Sequence, residues 1–258
     1  MSAGAGLSPL RYVAIGDSLS EGVGDEPWPD GTPRGWTDRL AGLLANLHEE
    51  RGLAYANLAV RGYKAAQVRD HQLAEAIAME PDVVTLTAGM NDILRRQVDF
   101  VQLRTTLIDL VRPFTDAGAQ VVVVPIPDVT KISPAGGLIN PRRLRLNAIY
   151  QELVDDHGVQ PLTDTTGTVF EDSRAWDDDR LHLSVLGHER LAYAAAASLG
   201  IPLDIDWLTA PAGPPPRRTF RTEAAWVWTH AKPWVGRRLR GKSSGDGRIA
   251  KRPRLEGL

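Results

Sequence analysis

The chain of 258 residues contains no cysteine, which excludes disulfide bonds, thiolate nucleophiles and cysteine-based zinc sites. It also lacks any uncharged apolar run of about 18 residues, so a membrane-spanning helix is not expected. Residues 1–6 have neither the basic stretch nor the apolar core of a secretory signal. We therefore expect a cytoplasmic protein, although a chain whose leader had been removed would look the same.

Several common catalytic and binding signatures are missing. The Gly-x-Ser-x-Gly elbow is absent around Ser18. A dinucleotide-type turn starting at Gly22 is incomplete because position 27 is proline. His182 and His188 have no third ligand at metal-binding spacing. The expectation is therefore no cofactor and no metal.

The small net charge of −2 hides two regions of opposite sign. Residues 211–258 hold 12 Lys/Arg and 3 Asp/Glu, whereas the rest of the chain holds 18 and 29. A proline-rich run at 211–216 marks the change and indicates a linker. We predict a domain over 1–208, followed over 209–258 by this linker and a basic, tryptophan-containing tail.

Within the first two hundred residues, short apolar runs alternate with longer segments of helical periodicity. The predicted strands are 11–15, 54–59, 82–88, 120–125 and 159–163. Because these runs are mostly continuous rather than alternating, they are typical of parallel strands buried on both faces. Strand–helix alternation of this kind predicts a three-layer α/β/α sandwich with a parallel sheet of five strands.

The most informative residues are those that follow the predicted strands. Ser18, within Gly-Asp-Ser-Leu, comes just after the first strand. Gly62 follows the second, and Asn91, within Gly-Met-Asn-Asp, follows the third. Since reactive groups in such sheets gather beyond the carboxyl ends of the strands, these three residues should share one edge.

A carboxylate and an imidazole lie much further along, at Asp179 and His182. A serine hydroxyl becomes a good nucleophile when an adjacent base takes its proton. We assign His182 as that base and Asp179 as the group that orients its ring. The candidate oxyanion donors are the Asn91 amide and the backbone N–H groups of Gly62 and Ser18. Structural alternatives are a helix cap for Ser18, a turn for Gly62 and a loop cap for Asn91.

These motifs, in this order, resemble the SGNH (GDSL-type) hydrolase family, over roughly residues 9–200. The resemblance implies a flavodoxin-like strand order 2-1-3-4-5. It also implies a serine esterase or lipase acting on a small-molecule ester through an acyl-enzyme on Ser18. An acyltransferase with a sugar or lipid acceptor, or a non-catalytic binding module on the same fold, stays open. The natural substrate, the acyl length and the oligomeric state are not specified.

Two aromatic regions have open interpretations. Trp28 and Trp36, which follow the nucleophile, either line the substrate site or serve the loop and the core. In the tail, Trp226, Trp228 and Trp234 accompany a basic cluster at 237–242. This combination favours docking on the acidic domain, with an anionic membrane surface as the alternative. No specific nucleic acid is expected.

Overall fold

The structure is a computed structural model that describes residues 8–133, 136–161, 164–217, 219–232 and 244–258. The strands are β1 (Leu10–Gly16), β2 (Leu53–Asn57), β3 (Val83–Thr87), β4 (Gln120–Val123) and β5 (Arg252–Gly257). The helices are α1 (Ser18–Glu21), α2 (Gly35–Leu47), α3 (Ala65–Ala78), α4 (Met90–Ile93), α5 (Phe100–Asp116), α6 (Gly136–His157), α7 (Val185–Ser198) and α8 (Phe220–Trp226). Short 3-10 turns occupy Val169–Glu171 and Ser173–Ala175, and a π-helical turn over Val227–Ala231 continues α8.

Among the described residues the sheet has five strands, in the order β4-β3-β1-β2-β5. The first four are parallel, which confirms the neighbours 2-1-3-4 of the expected order. The prediction of a wholly parallel sheet is wrong, because β5 pairs antiparallel with β2. The sheet is therefore mixed, with its single antiparallel pairing among these residues at one edge.

The predicted strand at 159–163 contributes only one bridge in the described part of the chain. Gln160 pairs parallel with Val122, and its N–H donates to the Val121 carbonyl at 2.7 Å. Residues 162 and 163 lie outside the described residues.

Strand β5 lies at the edge of the sheet, a position that its sequence does not predict. Its segment Arg-Pro-Arg-Leu-Glu-Gly is largely exposed and has no apolar run. An edge strand tolerates proline and charged side chains, since one side of it has no hydrogen-bonding neighbour. Apolar periodicity therefore carries no signal for it.

Two hydrophobic cores lie on the two faces of the sheet. Val13 and Ile15 of β1 pack on one face with side chains of α3, α5 and α6. Tyr12 and Ala14 point to the other face and pack with side chains of α2 and α7. This alternation along one strand, with helices against both faces, forms the three layers.

The tail joins this framework through β5, and α8 precedes it in the chain. Trp234 and the basic cluster at 237–242 lie outside the described residues, and the domain boundary at 208 stays a prediction. Within the described ranges, no helix combines the length and the apolar character needed to cross a membrane.

Candidate active site

Ser18 is the first residue of α1 and lies directly beyond the end of β1. Asp17 caps this short helix, its carboxylate accepting a hydrogen bond from Leu19 N at 3.2 Å. Gly16 has a φ of 140°, and a Cβ there would collide with the Thr87 carbonyl of β3. Glycine is therefore required where the chain leaves the sheet to present the serine.

Asp17 also connects the serine turn to the loop after β3. Thr87 Oγ1 donates to Asp17 Oδ1 at 3.2 Å, and Asn91 Nδ2 donates to Asp17 Oδ2 at 3.2 Å. The carboxyl group is almost fully buried, and this burial raises the pKa of Asp17 to about 6. The side chain beside the candidate nucleophile thus orients a candidate oxyanion donor.

The Asn91 loop is tied in turn to the loop that carries Gly62. Asn91 Nδ2 donates to the Tyr63 carbonyl at 3.0 Å, and Asp92 accepts from Ala65 N at the start of α3. Gly62 itself has a φ of 80°, a conformation that favours glycine. Ser18, Gly62 and Asn91 therefore lie in three segments that follow neighbouring strands and are joined by hydrogen bonds at one edge of the sheet.

A buried ion pair that sequence reasoning missed supports the Gly62 loop. Glu21 of α1 accepts from Arg61 N at 2.6 Å and from Arg61 Nε at 2.8 Å. The Glu21 side chain is only 9% exposed, so the pair is largely shielded from water. No sequence pattern links these residues, because their contact depends on the parallel pairing of β1 and β2, which brings the segments after both strands together.

Asp179 and His182 form a close pair in the loop of residues 177–183, which we call the 177–183 loop. The His182 Nδ1 atom lies 2.6 Å from Asp179 Oδ2. Asp179 Oδ1 accepts hydrogen bonds from the N–H groups of Leu181 and His182, both at 2.9 Å. With Nδ1 turned to the carboxylate, Nε2 is the ring nitrogen left to meet another group.

The electrostatics of this pair favour an ionised carboxylate. Burial alone raises the pKa of Asp179, but the hydrogen bond and the charge of His182, with two backbone N–H donors, outweigh it. The net effect holds the pKa of Asp179 well below its usual value. An ionised Asp179 can orient the imidazole and stabilise its protonated form.

The segment after α1 brings the His182 loop against the serine helix. Gly24 has a φ of 99°, and a Cβ built there would lie 3.3 Å from His182 Cβ. His188, which is fully buried, donates from Nε2 to the Val23 carbonyl at 3.0 Å and accepts from Trp36 N at 3.1 Å. Burial lowers the pKa of His188 to about 4, so it stays neutral and structural.

Among the described residues, the Ser18 hydroxyl and the His182 ring share no hydrogen bond. Catalytic hydrogen bonds are often long or misaligned without substrate and tighten in the complex. The structure thus joins Ser18 with Asn91 through Asp17, and Asp179 with His182 directly. Contact between these two sets stays a prediction.

The neighbouring acidic residues differ from Asp179 in their roles. Asp177 contributes its backbone, since its N–H donates to the His182 carbonyl and its carbonyl accepts from Arg180 N, both at 2.9 Å. Asp178 is exposed. Only Asp179 has its side chain on the histidine ring.

The two tryptophans after the nucleophile are separated by the fold. Trp36 is fully buried in the core with Leu40, so the interpretation in which it lines a substrate site is wrong. Trp28 is partly exposed, and its indole N–H donates to Asp38 at 2.8 Å. The Arg34 guanidinium lies 4.9 Å from the Trp28 ring centre. Trp28 is therefore held in place on the loop.

A cavity of about 970 Å³ lies at the opposite edge of the sheet. It is lined by Leu10, Val83 and Gln120, the first residues of three strands, and by none of the candidate site residues. Because ligands of open α/β sheets bind beyond the carboxyl ends of the strands, this cavity is not the candidate site.

Comparison with known proteins identifies the family. The model of the GDSL-like lipase/acylhydrolase family matches residues 14–190. The chain belongs to this family. It is therefore a hydrolase that acts on ester bonds, and the Gly-Asp-Ser-Leu segment and the Asp179–His182 pair both lie within the matched GDSL region.

Two curated relatives match this GDSL hydrolase over different lengths of chain. An acetylxylan esterase from Geobacillus stearothermophilus is 24% identical over 216 residues, which cover 74% of this chain and 94% of the relative. The uncharacterized protein YpmR from Bacillus subtilis (strain 168) is 33% identical over 114 residues, 42% of this chain and 40% of its own length.

Solved structures share the fold. An α/β hydrolase, LAE5, from the metagenome of Lake Arreo in Spain superposes with a TM-score of 0.61 at 21% identity. It covers 76% of this chain and 97% of its own. A variant of the acetyl xylan esterase Axe2 from Geobacillus stearothermophilus has a TM-score of 0.63 at 20% identity, with 78% and 99% covered.

Proposed function

We propose that this GDSL hydrolase is a serine esterase that cleaves carboxylic esters through an acyl-enzyme on Ser18. The observation that carries the proposal is the 2.6 Å pair of Asp179 and His182, which leaves Nε2 as the ring atom available to a hydroxyl. Ser18 stands at the end of β1, on the helix that the Gly24 contact joins to this pair. The three residue types, and the geometry of the Asp179–His182 pair, support a serine–histidine–carboxylate mechanism.

In the first half of the reaction, His182 Nε2 takes the Ser18 proton as Oγ attacks the acyl carbonyl. The tetrahedral oxyanion is stabilised by N–H groups of Ser18 and Gly62 and by the Asn91 amide. The carbon–oxygen bond to the alcohol then breaks, and the alcohol leaves with the proton from His182. In the second half, His182 deprotonates water, which attacks the acyl-enzyme and releases the carboxylic acid and Ser18.

Asn91 has to exchange a partner in this scheme. Its amide protons are directed at the Tyr63 carbonyl, at 3.0 Å, and at Asp17, at 3.2 Å. The longer bond, to Asp17, is the one that an oxyanion replaces or shares. Because Asp17 is buried, its carboxylate keeps the amide oriented before the substrate arrives.

The relatives suggest which ester to test first. The acetylxylan esterase aligns over most of this chain, and solved catalytic mutants of that enzyme replace a serine, an aspartate and a histidine. In that enzyme the histidine lies three residues after the aspartate, the spacing of Asp179 and His182. We propose a short acyl group, with acetylated sugars as the first natural candidates.

The decisive variant is Ser18→Ala, assayed on p-nitrophenyl acetate and on acetylated xylo-oligosaccharides. We expect turnover to disappear and a fluorophosphonate to label Ser18 in the parent protein only. Ser198→Ala is the matched control, because Ser198 lies at the far end of α7 and its hydroxyl donates to the Ala194 carbonyl of its own helix. Full activity of the Ser18 variant, or no label on the parent, would overturn the proposal.

A further inference from the structure

Arg180, in the 177–183 loop, contacts the tail. Its guanidinium donates two hydrogen bonds to Glu223 of α8, at 2.8 and 2.7 Å. The same group lies 4.7 Å from the ring centre of Trp226, also in α8. A bidentate charge pair with an aromatic stack is a geometrically specific contact. We call Arg180, Glu223 and Trp226 the brace.

Arg180 stands between Asp179 and His182 and has an unusual backbone. Its φ is +58°, and the other described non-glycine residue with positive φ is Glu80. This conformation costs free energy for a side chain with a Cβ and persists where surrounding contacts hold it. The bond from Arg180 N to the Asp177 carbonyl, at 2.9 Å, supplies one such contact from inside the loop. The brace supplies contacts from outside it.

The arginine side of the brace is shielded from water. The Arg180 side chain is 13% exposed and that of Glu223 is 34% exposed. An ion pair screened from solvent on one partner is more directional than a surface pair. The contact therefore restrains the loop more than an exposed salt bridge of the same length does.

The tail reaches the other half of the site independently. A Cβ built on the buried Gly245 would lie 3.3 Å from Val60 Cγ1 and would collide with the Arg61 carbonyl, next to Gly62. Lys251 is nearly buried, and its ammonium group donates to Asp38 at 3.0 Å and to the Pro33 carbonyl at 2.8 Å. The tail thus packs against chain segments on both sides of the candidate site.

We propose that Arg180 is a positioning residue. The brace fixes the 177–183 loop to α8 and thereby holds the Asp179–His182 pair in register for proton transfer. The proposal rests on the proposed serine esterase function. It makes the tail part of the active site, although its sequence lies outside the GDSL region. Because the brace acts through the 177–183 loop, its loss lowers kcat and leaves KM nearly unchanged.

The test exchanges the charges. Arg180→Glu and Glu223→Arg should each lower kcat about tenfold, within the loss that a misplaced catalytic group causes, with KM constant. The double variant R180E/E223R restores the pair in reverse and should recover most of kcat. Arg180→Lys, which keeps the charge but not the bidentate fork, should fall between the parent and R180E.

A second ion pair provides the control. Arg104→Glu and Glu152→Arg reverse a pair between α5 and α6 whose arginine is more exposed than Arg180, and both should leave kcat unchanged. Thermal melting checks that every variant folds. The rate of fluorophosphonate labelling of Ser18 should fall with kcat, since it reports the activated hydroxyl without substrate binding.

The outcomes separate the two proposals. If the parent turns over esters and Ser18→Ala does not, but R180E and E223R keep the parental kcat, only the brace is wrong. Single variants that lose activity without recovery in the double variant would also overturn the brace. A parent that neither hydrolyses esters nor takes the label overturns the proposed function, and the brace with it.

Discussion

The candidate site has two halves that are held in different ways. Ser18, Gly62 and Asn91, the nucleophile half, follow three strands and are joined by hydrogen bonds between residues distant in the chain. Asp179 and His182, the base half, lie on a loop whose internal bonds join neighbours. A sheet sets the first half, whereas a local turn and the contacts of Gly24 and Arg180 set the second.

This difference indicates which half of the site is the more mobile. The nucleophile half is anchored by buried groups, among them Asp17 and Glu21. The base half has fewer buried anchors, and the serine–histidine contact has to form through it. Variants that weaken the base half should therefore act on turnover, while those at the strand ends should also act on stability.

The largest expected effect is in the base half. Asp179→Asn should lower kcat/KM by about 10⁴-fold, as the same change does in a Ser-His-Asp triad, because the imidazole loses its orientation. The measurement is p-nitrophenyl acetate hydrolysis. Asp178→Asn, an exposed neighbour, is the matched control and should be silent. A loss below tenfold in Asp179→Asn would remove Asp179 from the mechanism.

In the nucleophile half, Asn91→Ala should lower kcat by about 10²–10³-fold, the typical result of deleting one oxyanion donor. KM should change little, since the donor acts mainly on the tetrahedral intermediate. Asn46→Ala, on the exposed side of α2, is the control. An unchanged kcat would show that the amide serves only to hold the loop.

A substitution at Gly16, where the chain leaves β1, should lower the stability of the protein. Gly16→Ala should lower the free energy of unfolding by about 3 kcal/mol, because backbone strain adds to a collision with the Thr87 carbonyl. Gly31→Ala also has positive φ but meets no atom within 4 Å, so it should cost about 1 kcal/mol. Urea unfolding of both variants measures the difference. Equal losses would mean that β1 and β3 separate easily at this point.

Acid should act in opposite directions on two buried groups near the candidate site, His188 and Asp17. His188 has a pKa lowered to about 4 by burial, so the unfolded chain binds more protons at mild acid, and stability falls as pH falls. Asp17 has a pKa raised to about 6, so the folded chain binds the extra proton, and stability rises as pH falls. From about pH 7 to about pH 5, the first effect is about 2 kcal/mol and the second about 1 kcal/mol.

Variants at these two positions separate the effects. His188→Gln should reduce the loss of stability on acidification, and Asp17→Asn should enlarge it. Urea unfolding at several pH values gives the slope of the free energy of unfolding against pH. This slope, rather than the absolute stability, is compared between each variant and the parent. If both variants kept the parental slope, neither group would be titrating in this range.

Much of the framework was predictable from local pattern. The runs ending at Gly16, Asn57 and Thr87 form three neighbouring parallel strands, as apolar continuity indicates. Ser184 caps α7 and accepts from Gly187 N at 3.3 Å, which is the role typical of a serine just before a helix. The spacing of Asp179 and His182 produces a direct bond, because three residues of a tight turn suffice to bring them together.

Other features were missed for definite reasons. Of the predicted strand at 159–163, the described residues form one parallel bridge, from Gln160 to Val122. The edge strand β5 was missed because its segment is charged and exposed, without an apolar period. The Glu21–Arg61 pair joins side chains 40 residues apart, and the Arg180–Glu223 pair of the brace joins side chains 43 residues apart. Both were missed because a charged residue in a sequence does not indicate which residue it will pair with.

By itself, the sequence determined the alternation of strands and helices, the family and the set of groups offered for chemistry. Burial of apolar side chains is periodic along the chain, and a short turn is a local event, so both can be read from neighbouring residues. Only the tertiary structure decided that the tail completes the sheet through β5 and that Arg180 meets Glu223. Those contacts depend on the distance and direction between chain segments that only the packed layers bring together.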